Sequence, residues 1–220
     1  MSKNFNKNKY NSGVTLIELL VVIAILGIMS ATTLVSYSNF KSSMSIQNLA
    51  DDIALSLRKA QGFAVGTVRT YSNSYGVHFM MNSDLTKPIS GSKKSFILFA
   101  NIDNFSKYDT SNNMCGSPQS GNECLEMLQI TSSDEIYKIV YGLAGYSGWR
   151  EMEVRNGESI DVFFTRPHVE PTFCYKSNPD TSDCNEGADI GYIKIFVQST
   201  RDPNNNKIIT VWNNGQISVS

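Results

Sequence analysis

The sequence predicts an α+β fold, in which one long N-terminal α-helix, first transmembrane and then amphipathic, packs on an antiparallel β-rich globular domain. Three observations carry this prediction. The stretch Val14–Val35 is mostly apolar and has one charged residue, Glu18. The segment that begins at Ile46 has the apolar spacing of a helix, and the chain beyond Gly66 consists of short runs with a period of two. The 220 residues suffice for one globular domain and an appendage.

The first half of the predicted helix has the length of a membrane span. A helix over Val14–Val35 is long enough to cross the hydrocarbon core of a bilayer. The polar residues before it include Lys3, Lys7 and Lys9, and basic residues favour the cytoplasmic side of a membrane. The sequence therefore predicts a single-pass membrane protein whose N-terminus stays in the cytoplasm and whose remaining chain is exported.

Two other interpretations of this segment stay open. A cleaved secretory signal would have its exit near Ser30–Ala31, but such signals have a short apolar core and the helical character here continues past that point. A plain membrane anchor would pay about 2.5–3.5 kcal/mol for a carboxylate in hydrocarbon. An anchor of that kind has no use for Glu18, so the acid favours a role that needs it.

The second half of the helix is predicted over residues 41–66 and is amphipathic. Its apolar residues are three or four positions apart, a spacing that places them on one face of a helix. No proline occurs between Met1 and Thr86, so we expect one continuous helix over about Val14–Val65, roughly 80 Å long. The apolar face comprises Ile46, Leu49, Ala50, Ile53, Leu57, Ala60 and Ala64.

The rest of the chain, residues 67–220, is predicted to form the exported β-rich domain. Within its final segment, the run Asn213–Gly215 is a tight hairpin signal, because glycine supplies the positive φ that such turns require. The polar stretch Arg201–Lys207 predicts the turn before that hairpin. The predicted strand segments are Tyr75–Met81, Ser95–Asn101, Leu125–Ile130, Tyr137–Leu143, Ser159–Thr165, Tyr192–Ser199 and Lys207–Ser220.

Four cysteines form two local pairs along the chain. The spacing favours disulfides Cys115–Cys124 and Cys174–Cys184, each closing a polar loop and each contributing roughly 2–3 kcal/mol on the chain-entropy model. Four cysteines allow three connectivities, and four free thiols are the alternative. Neither spacing resembles the short C-x-x-C pattern of zinc or thioredoxin-like sites. Disulfides form in oxidising compartments, which agrees with export of this domain.

No constellation of catalytic residues is present in the sequence. The chain has two histidines, and we interpret His78 as a half-buried strand residue and His168 as an exposed residue of a proline-bracketed turn. The sequence contains no nucleophile elbow, phosphate-binding loop, dinucleotide fingerprint or zinc-protease motif. The sequence therefore predicts a protein that is not an enzyme and that needs no cofactor.

One acidic loop contains several candidate metal ligands. The carboxylates of Asp180, Asp183, Glu186 and Asp189 lie within ten residues of one another and are the kind of ligand that calcium takes. Their spacing does not follow the EF-hand pattern, and a solvated loop held by Cys184 explains the same residues. We therefore predict no metal site, and whether this loop binds calcium stays open.

The N-terminal segment resembles the prepilin signal of type IV pilins and type II secretion pseudopilins. The resemblance rests on Gly13 followed by the run VTLIELLVVIAILGIM, with Glu18 five positions after the glycine. It implies that residues 1–13 are a basic leader, that a prepilin peptidase cuts between Gly13 and Val14, and that the new N-terminus on Val14 is methylated. The sequence departs from the family pattern at two positions. The first mature residue is usually Phe and here is Val14, and the residue before the glycine is often basic and here is Ser12.

The resemblance also implies an assembly role for Glu18. In the family, this acid pairs with the N-terminal amine of a neighbouring subunit in a filament whose core is built from the apolar helices. Residues 14–40 would then be the transmembrane and filament-core helix. The implied partners are the prepilin peptidase, other pilin or pseudopilin subunits and an assembly platform in the inner membrane.

Within the family, the chain is most similar to the H-type pseudopilins and the T-type minor pilins. The similarity lies in Leu49–Ser72, where the amphipathic helix leads into the first strand, and in the closing run ITVWNNGQISVS. The function implied is a minor subunit of a type IV pilus or a type II secretion filament. The alternatives are a major pilin and a monomeric membrane-anchored binding domain.

The T-type relatives also raise the alternative of a DNA-binding subunit for DNA uptake. In those relatives, basic residues follow the glycine of the terminal hairpin. Here Gly215 is followed by Gln216, Ile217 and Ser218, and the net charge of the chain is −1. Because nucleic-acid affinity depends on neutralising phosphates with Lys and Arg, we expect no nucleic-acid partner.

Overall fold

The computed structural model describes residues 13–66, 72–83, 91–102, 108, 115–116, 122–145, 148–177, 184 and 190–220. The side chains of residues 33–36, 38–39 and 144–150 are outside this description. Contacts divide the chain into two compact units, Met1–Lys41 and Ser42–Ser220. The predicted leader, residues 1–12, and the acidic loop with Asp180, Asp183, Glu186 and Asp189 lie outside the described residues.

One helix, α1, covers Leu16–Val65 and confirms the continuous helix expected from the absence of proline. In the second unit, α1 buries one face, and all seven positions of the predicted apolar stripe are buried. Ala54 and Ser56 are buried beside them, while Asp51, Leu55 and Lys59 face away from the core. The amphipathic pattern therefore selected the correct face of the helix.

Ten strands follow the helix within the described residues. Their bounds are Ser74–Met80 (β1), Ser95–Asn101 (β2), Cys124–Gln129 (β3), Asp134–Gly145 (β4), Gly148–Glu153 (β5), Ser159–Thr165 (β6), Pro171–Lys176 (β7), Ile190–Ser199 (β8), Asn206–Trp212 (β9) and Ile217–Val219 (β10). All of the pairings between them are antiparallel. The predicted antiparallel β-rich domain is therefore confirmed.

The strands form two five-stranded sheets. Sheet I has the order β3-β2-β1-β6-β7, and sheet II has the order β10-β9-β8-β4-β5. Their inner faces share one apolar core with α1, in which Phe79, Phe96, Phe164, Ile139 and Ile195 are almost completely buried. Removing this apolar surface from water is the main stabilising contribution to the domain.

The helix contacts one edge strand of each sheet. The ammonium of Lys59 lies 2.5 Å from a carboxylate oxygen of Glu126 in β3, and the guanidinium of Arg58 donates to the carbonyl oxygen of Ile217 in β10. Gln61 adds hydrogen bonds to the carbonyl oxygens of Val169 and Gly215. In this part of the domain, α1 therefore covers the gap between the β3 and β10 edges.

The terminal hairpin has the turn expected from Asn213–Gly215. Gly215 has a φ of +84°, and its amide donates to the carbonyl oxygen of Trp212. A side chain at this position would also collide with the carbonyl oxygen of Val169, which lies 2.4 Å from the place of a Cβ atom. Glycine is therefore required here both by the backbone conformation and by the close approach of another segment.

Two strands, β5 and β7, were absent from the predicted strand segments. Each is the outermost strand of its sheet, and each carries a sequence that strand rules penalise. β7 begins at Pro171, and β5 contains three charged residues in six. Proline and charge are tolerated at sheet edges, where one side of the strand is unpaired, so a rule based on alternation of apolar residues misses them.

Candidate functional site

The first candidate site is the start of α1. Residues Gly13–Thr15 precede the helix, and Glu18 lies in its first turn. The Glu18 amide donates to the Thr15 hydroxyl oxygen at 3.4 Å, and the Leu19 amide donates to the Thr15 carbonyl oxygen at 3.2 Å. Thr15 is therefore the N-cap of α1. The spacing of Thr15 and Glu18 is that of a capping box, a signal that the sequence analysis did not use.

The helix surface around Glu18 is apolar and exposed. The large apolar residues between Val14 and Met29 are between 48% and 83% exposed, and Glu18 itself is exposed among them. Within the described part of the chain, no helical segment is both long and apolar enough to cross a membrane.

The second candidate site is the outer face of sheet I, the face turned away from the shared core. One row of cross-strand neighbours runs over it, from Met127 through Ile97, His78 and Asp161 to Cys174. Ile97, Phe99, Tyr108, Cys124, Phe163 and Cys174 form a second buried apolar cluster on this face. We call this face, with the residues that cover it, the stapled face.

Two disulfides belong to the stapled face. The structure pairs Cys115 with Cys124 and Cys174 with Cys184, and these are the two local pairs that the sequence favoured. Cys124 lies in β3 and Cys174 in β7, the two outermost strands of sheet I, and both are completely buried. Each disulfide therefore ties a segment outside the sheet to one edge of the same face.

A buried carboxylate occupies the centre of the stapled face. Asp161 is completely buried and contacts the imidazole Nδ1 of His78 through one oxygen. Its other oxygen accepts a hydrogen bond of 2.9 Å from the Tyr108 amide and lies 3.8 Å from the Lys176 ammonium. Lys176, only 4% exposed, also donates to the Tyr108 carbonyl oxygen at 3.4 Å. A buried charge is tolerated only when it is paired in this way.

The partners of Asp161 also determine its titration. Burial alone would raise the pKa of this carboxyl, but the charge of His78, its hydrogen bond, the Lys176 ammonium and the Tyr108 amide together hold the pKa below its ordinary value. The carboxylate is therefore ionised at neutral pH, and it fixes Tyr108 to the sheet through the backbone of that residue. The ring of Tyr108 packs against those of His78 and Phe99.

The structure brings some of the predicted residues together and leaves others apart. His78 was expected to be a half-buried strand residue; it lies in β1 and is 5% exposed, so it is more deeply buried than expected. His168 lies in an exposed turn, as expected. Asp161 and Lys176 were not identified from the sequence. Among the described residues, no group of three or more His, Cys, Asp or Glu could hold a metal ion.

Comparisons with known proteins bear mainly on the N-terminal segment. The prokaryotic N-terminal methylation motif matches residues 8–34. Among curated proteins, none matches the chain significantly. The crystal structure of the type IV minor pilin FimU from Pseudomonas aeruginosa matches with a TM-score of 0.41 and 12% sequence identity, over 82% of this chain and 92% of that chain. The matched motif therefore covers the same segment whose sequence resembles the prepilin signal of type IV pilins and pseudopilins.

Proposed function

We propose that this chain is a structural, non-enzymatic subunit of a type IV pilus or of a type II secretion filament. The single observation that carries the proposal is the N-terminal methylation motif at residues 8–34, with Glu18 in the first turn of α1 on an exposed apolar surface. Such a surface is unfavourable in water and is covered either by lipid or by neighbouring helices. The surface would contact lipid in the membrane-inserted precursor and neighbouring helices in the assembled filament.

Processing and localisation follow from the same proposal. The precursor inserts in the inner membrane through Val14–Val35, a prepilin peptidase removes residues 1–13, and the amine of Val14 is methylated. The β domain is exported to an oxidising compartment, in which its two disulfides form. The minor-subunit assignment rests on the similarity of Leu49–Ser72 to the H-type and T-type relatives.

The assembly step gives Glu18 its role. Cleavage creates a positive amine on Val14, and a carboxylate surrounded by apolar side chains is stabilised when such an amine of a neighbouring subunit pairs with it. Within one chain, the described contacts of Glu18 are restricted to its backbone, which is capped by Thr15. The acid is thus costly in the isolated membrane protein and is satisfied in the assembled filament.

The test of processing is the intact mass and N-terminal sequence of the protein extracted from membranes that contain a prepilin peptidase. We expect a chain that starts at Val14 and carries one added methyl group. The variant Gly13→Leu should keep its leader in the same membranes. A wild-type chain that retains Met1, or one cut near Ala31, would contradict the proposal.

The test of assembly separates pairing from helix capping. The variant Glu18→Gln keeps an amide that can take part in the capping box, but it has no charge to pair with an amine. We expect Glu18→Ala and Glu18→Gln to be processed normally and to stay in the membrane, outside sheared filaments. Asp51→Ala, which removes an exposed acid from the same helix, should enter filaments. Normal incorporation of Glu18→Gln would show that Glu18 acts only as a cap.

A further inference from the structure

The β domain has a cleft at the sheet edges that α1 does not contact. The helix contacts β3 and β10, whereas the outermost strands at the other ends of the two sheets are β7 and β5. A cleft of about 820 Å³ lies between these strands and is lined by Tyr141, Glu151, Met152, Glu153, Arg155, Glu158, Tyr175 and Ser177. We call it the β5–β7 cleft.

The floor of the β5–β7 cleft is the uncovered end of the main core. Tyr141 and Met152 are cross-strand neighbours in sheet II, and the ring of Tyr175 from sheet I lies with its centroid 5.0 Å from that of Tyr141. Met152 and Tyr175 are partly buried and pack against the core. Tyrosine and methionine are enriched in the contact surfaces of protein–protein interfaces, where both present apolar contact area.

A carboxylate that forms no ion pair with a described residue faces this floor. Glu158 accepts a hydrogen bond of 2.6 Å from the Arg155 amide and one from the Tyr175 hydroxyl. Burial, followed by the charge and hydrogen bond of Glu158, raises the pKa of Tyr175, so the hydroxyl keeps its proton and donates to the carboxylate. Within the described part of the chain, Glu158 makes no ion pair, although Arg155 is near enough to act on the tyrosines electrostatically.

The other charged groups of the β5–β7 cleft lie at its rim. Glu151 accepts from the Lys194 ammonium at 2.6 Å and from the Tyr192 hydroxyl, and Glu153 lies 3.5 Å from the Lys138 ammonium. These two carboxylates are therefore occupied by lysines of sheet II. Glu158 is left as the carboxylate next to the apolar floor, with Arg155 as the only guanidinium among the lining residues.

We propose that the β5–β7 cleft binds a lysine or arginine side chain carried by an extended segment of a partner protein. The aliphatic part of such a side chain covers Met152 and the tyrosine rings, and its charged end reaches Glu158. An extended segment fits because, among the described strands, β5 and β7 each pair with one neighbour, and a sheet edge can accept a further strand through its backbone groups. The inference is independent of filament assembly, since it concerns the β domain alone.

The test uses the mature full chain in detergent micelles and immobilised seven-residue peptides, in which threonine and serine alternate around one variable central residue. We expect peptides with central lysine or arginine to bind about tenfold more tightly than those with central methionine, and central glutamate to bind most weakly, since only a basic side chain can form a charged hydrogen bond with Glu158. The variant Glu158→Gln keeps an acceptor for Tyr175 and Arg155, and it should abolish the preference for a basic centre.

The matched control is Glu170→Gln, which removes an exposed carboxylate outside the β5–β7 cleft and should leave the preference unchanged. The thermal unfolding midpoint of each variant shows that it is folded. Three outcomes would each overturn the proposal. The chain binds none of the peptides, it binds peptides with basic and acidic centres equally, or a folded Glu158→Gln variant keeps the preference for a basic centre. The failure of Glu18 variants to assemble would leave these measurements unaffected, so this proposal and the filament proposal are tested separately.

Discussion

Two acids of this molecule, Glu18 and Asp161, stand in opposite situations. Asp161 is completely buried, and His78, Lys176 and the Tyr108 amide of the same chain surround its carboxylate. Glu18 is exposed on an apolar helix surface, and its described contact is a backbone hydrogen bond to Thr15. A carboxylate in an apolar setting is stabilised by cationic and hydrogen-bonding partners, so the difference between the two lies in where those partners come from.

The comparison separates a structural acid from one that we assign to assembly. Removing Asp161 leaves the buried ammonium of Lys176 without this counter-charge, an effect that belongs to the folding of one chain. Removing Glu18 leaves no buried group unpaired in the isolated chain. The following predictions are ordered by expected effect, and each tests how far burial on the stapled face determines the result.

The largest effect is expected for Asp161→Ala. Removing one partner of a buried charge network costs about 3–5 kcal/mol, because the remaining charges stay buried and uncompensated. Urea unfolding of the detergent-solubilised chain, followed by circular dichroism of the β domain, should show this loss of unfolding free energy. Glu18→Ala should leave the transition of the β domain unchanged. Equal transitions for the two variants would contradict the distinction between the acids.

The next effect uses one substitution at two glycines. Gly76 lies on the stapled face, and a Cβ atom there would lie 2.6 Å from the Cβ atom of Phe163 and 2.7 Å from ring atoms of Phe99. Gly76→Ala should therefore destabilise the domain by about 1–3 kcal/mol through overpacking. Gly62 is exposed in α1 and has no neighbour within 4 Å, so Gly62→Ala should stabilise it by up to about 1 kcal/mol. The same urea titration measures both, and a shift of the same sign would contradict the prediction.

A smaller effect is expected from pH, because protonation of Asp161 leaves a carboxylic acid that still forms hydrogen bonds. The folded-state pKa of Asp161 is lowered, so the unfolded chain binds its proton first as the pH falls. The ionised Asp161 thus makes its full contribution to the unfolding free energy above its unfolded-state pKa of about 4. That contribution is lost as the pH falls from this value through the lower folded-state pKa. Unfolding free energies from pH 7 downward should fall less steeply in Asp161→Asn than in the wild type. Parallel curves would contradict the assignment.

The sequence predicted the parts of this fold that depend on local patterns. The buried face of α1 followed from residue spacing, and five of the seven predicted strand segments match a strand to within two residues at both ends: Tyr75–Met81, Ser95–Asn101, Leu125–Ile130, Ser159–Thr165 and Tyr192–Ser199. The edge strands β5 and β7 were missed because pairing on one side tolerates charge and proline. The capping signal formed by Thr15 and Glu18 was present in the sequence and could have been used.

The stapled face could not have been predicted in the same way. Asp161 lies 83 residues from His78 and 53 from Tyr108. His78 and Asp161 meet because β1 and β6 pair in one register, whereas Tyr108 reaches Asp161 from outside the strands. Within the run SIDVFFT, the acid looks like a polar residue on the solvent side of a strand. Its partners depend on which segments cover that face, and residue spacing within one strand carries no information about them.

The smallest effect is expected for the ion pair between Lys59 of α1 and Glu126 of β3. Both side chains are nearly half exposed, so water screens the pair and each side chain loses rotamer freedom when it forms. Glu126→Gln should therefore change the unfolding free energy by only about 0.2–1 kcal/mol, and the difference should shrink as salt is added. Because the length of the pair, 2.5 Å, is shorter than the 3.8 Å between Lys176 and Asp161, distance alone would rank the two in the opposite order. A cost for Glu126→Gln as large as that for Asp161→Ala would show that separation, and not burial, governs the charges of this domain.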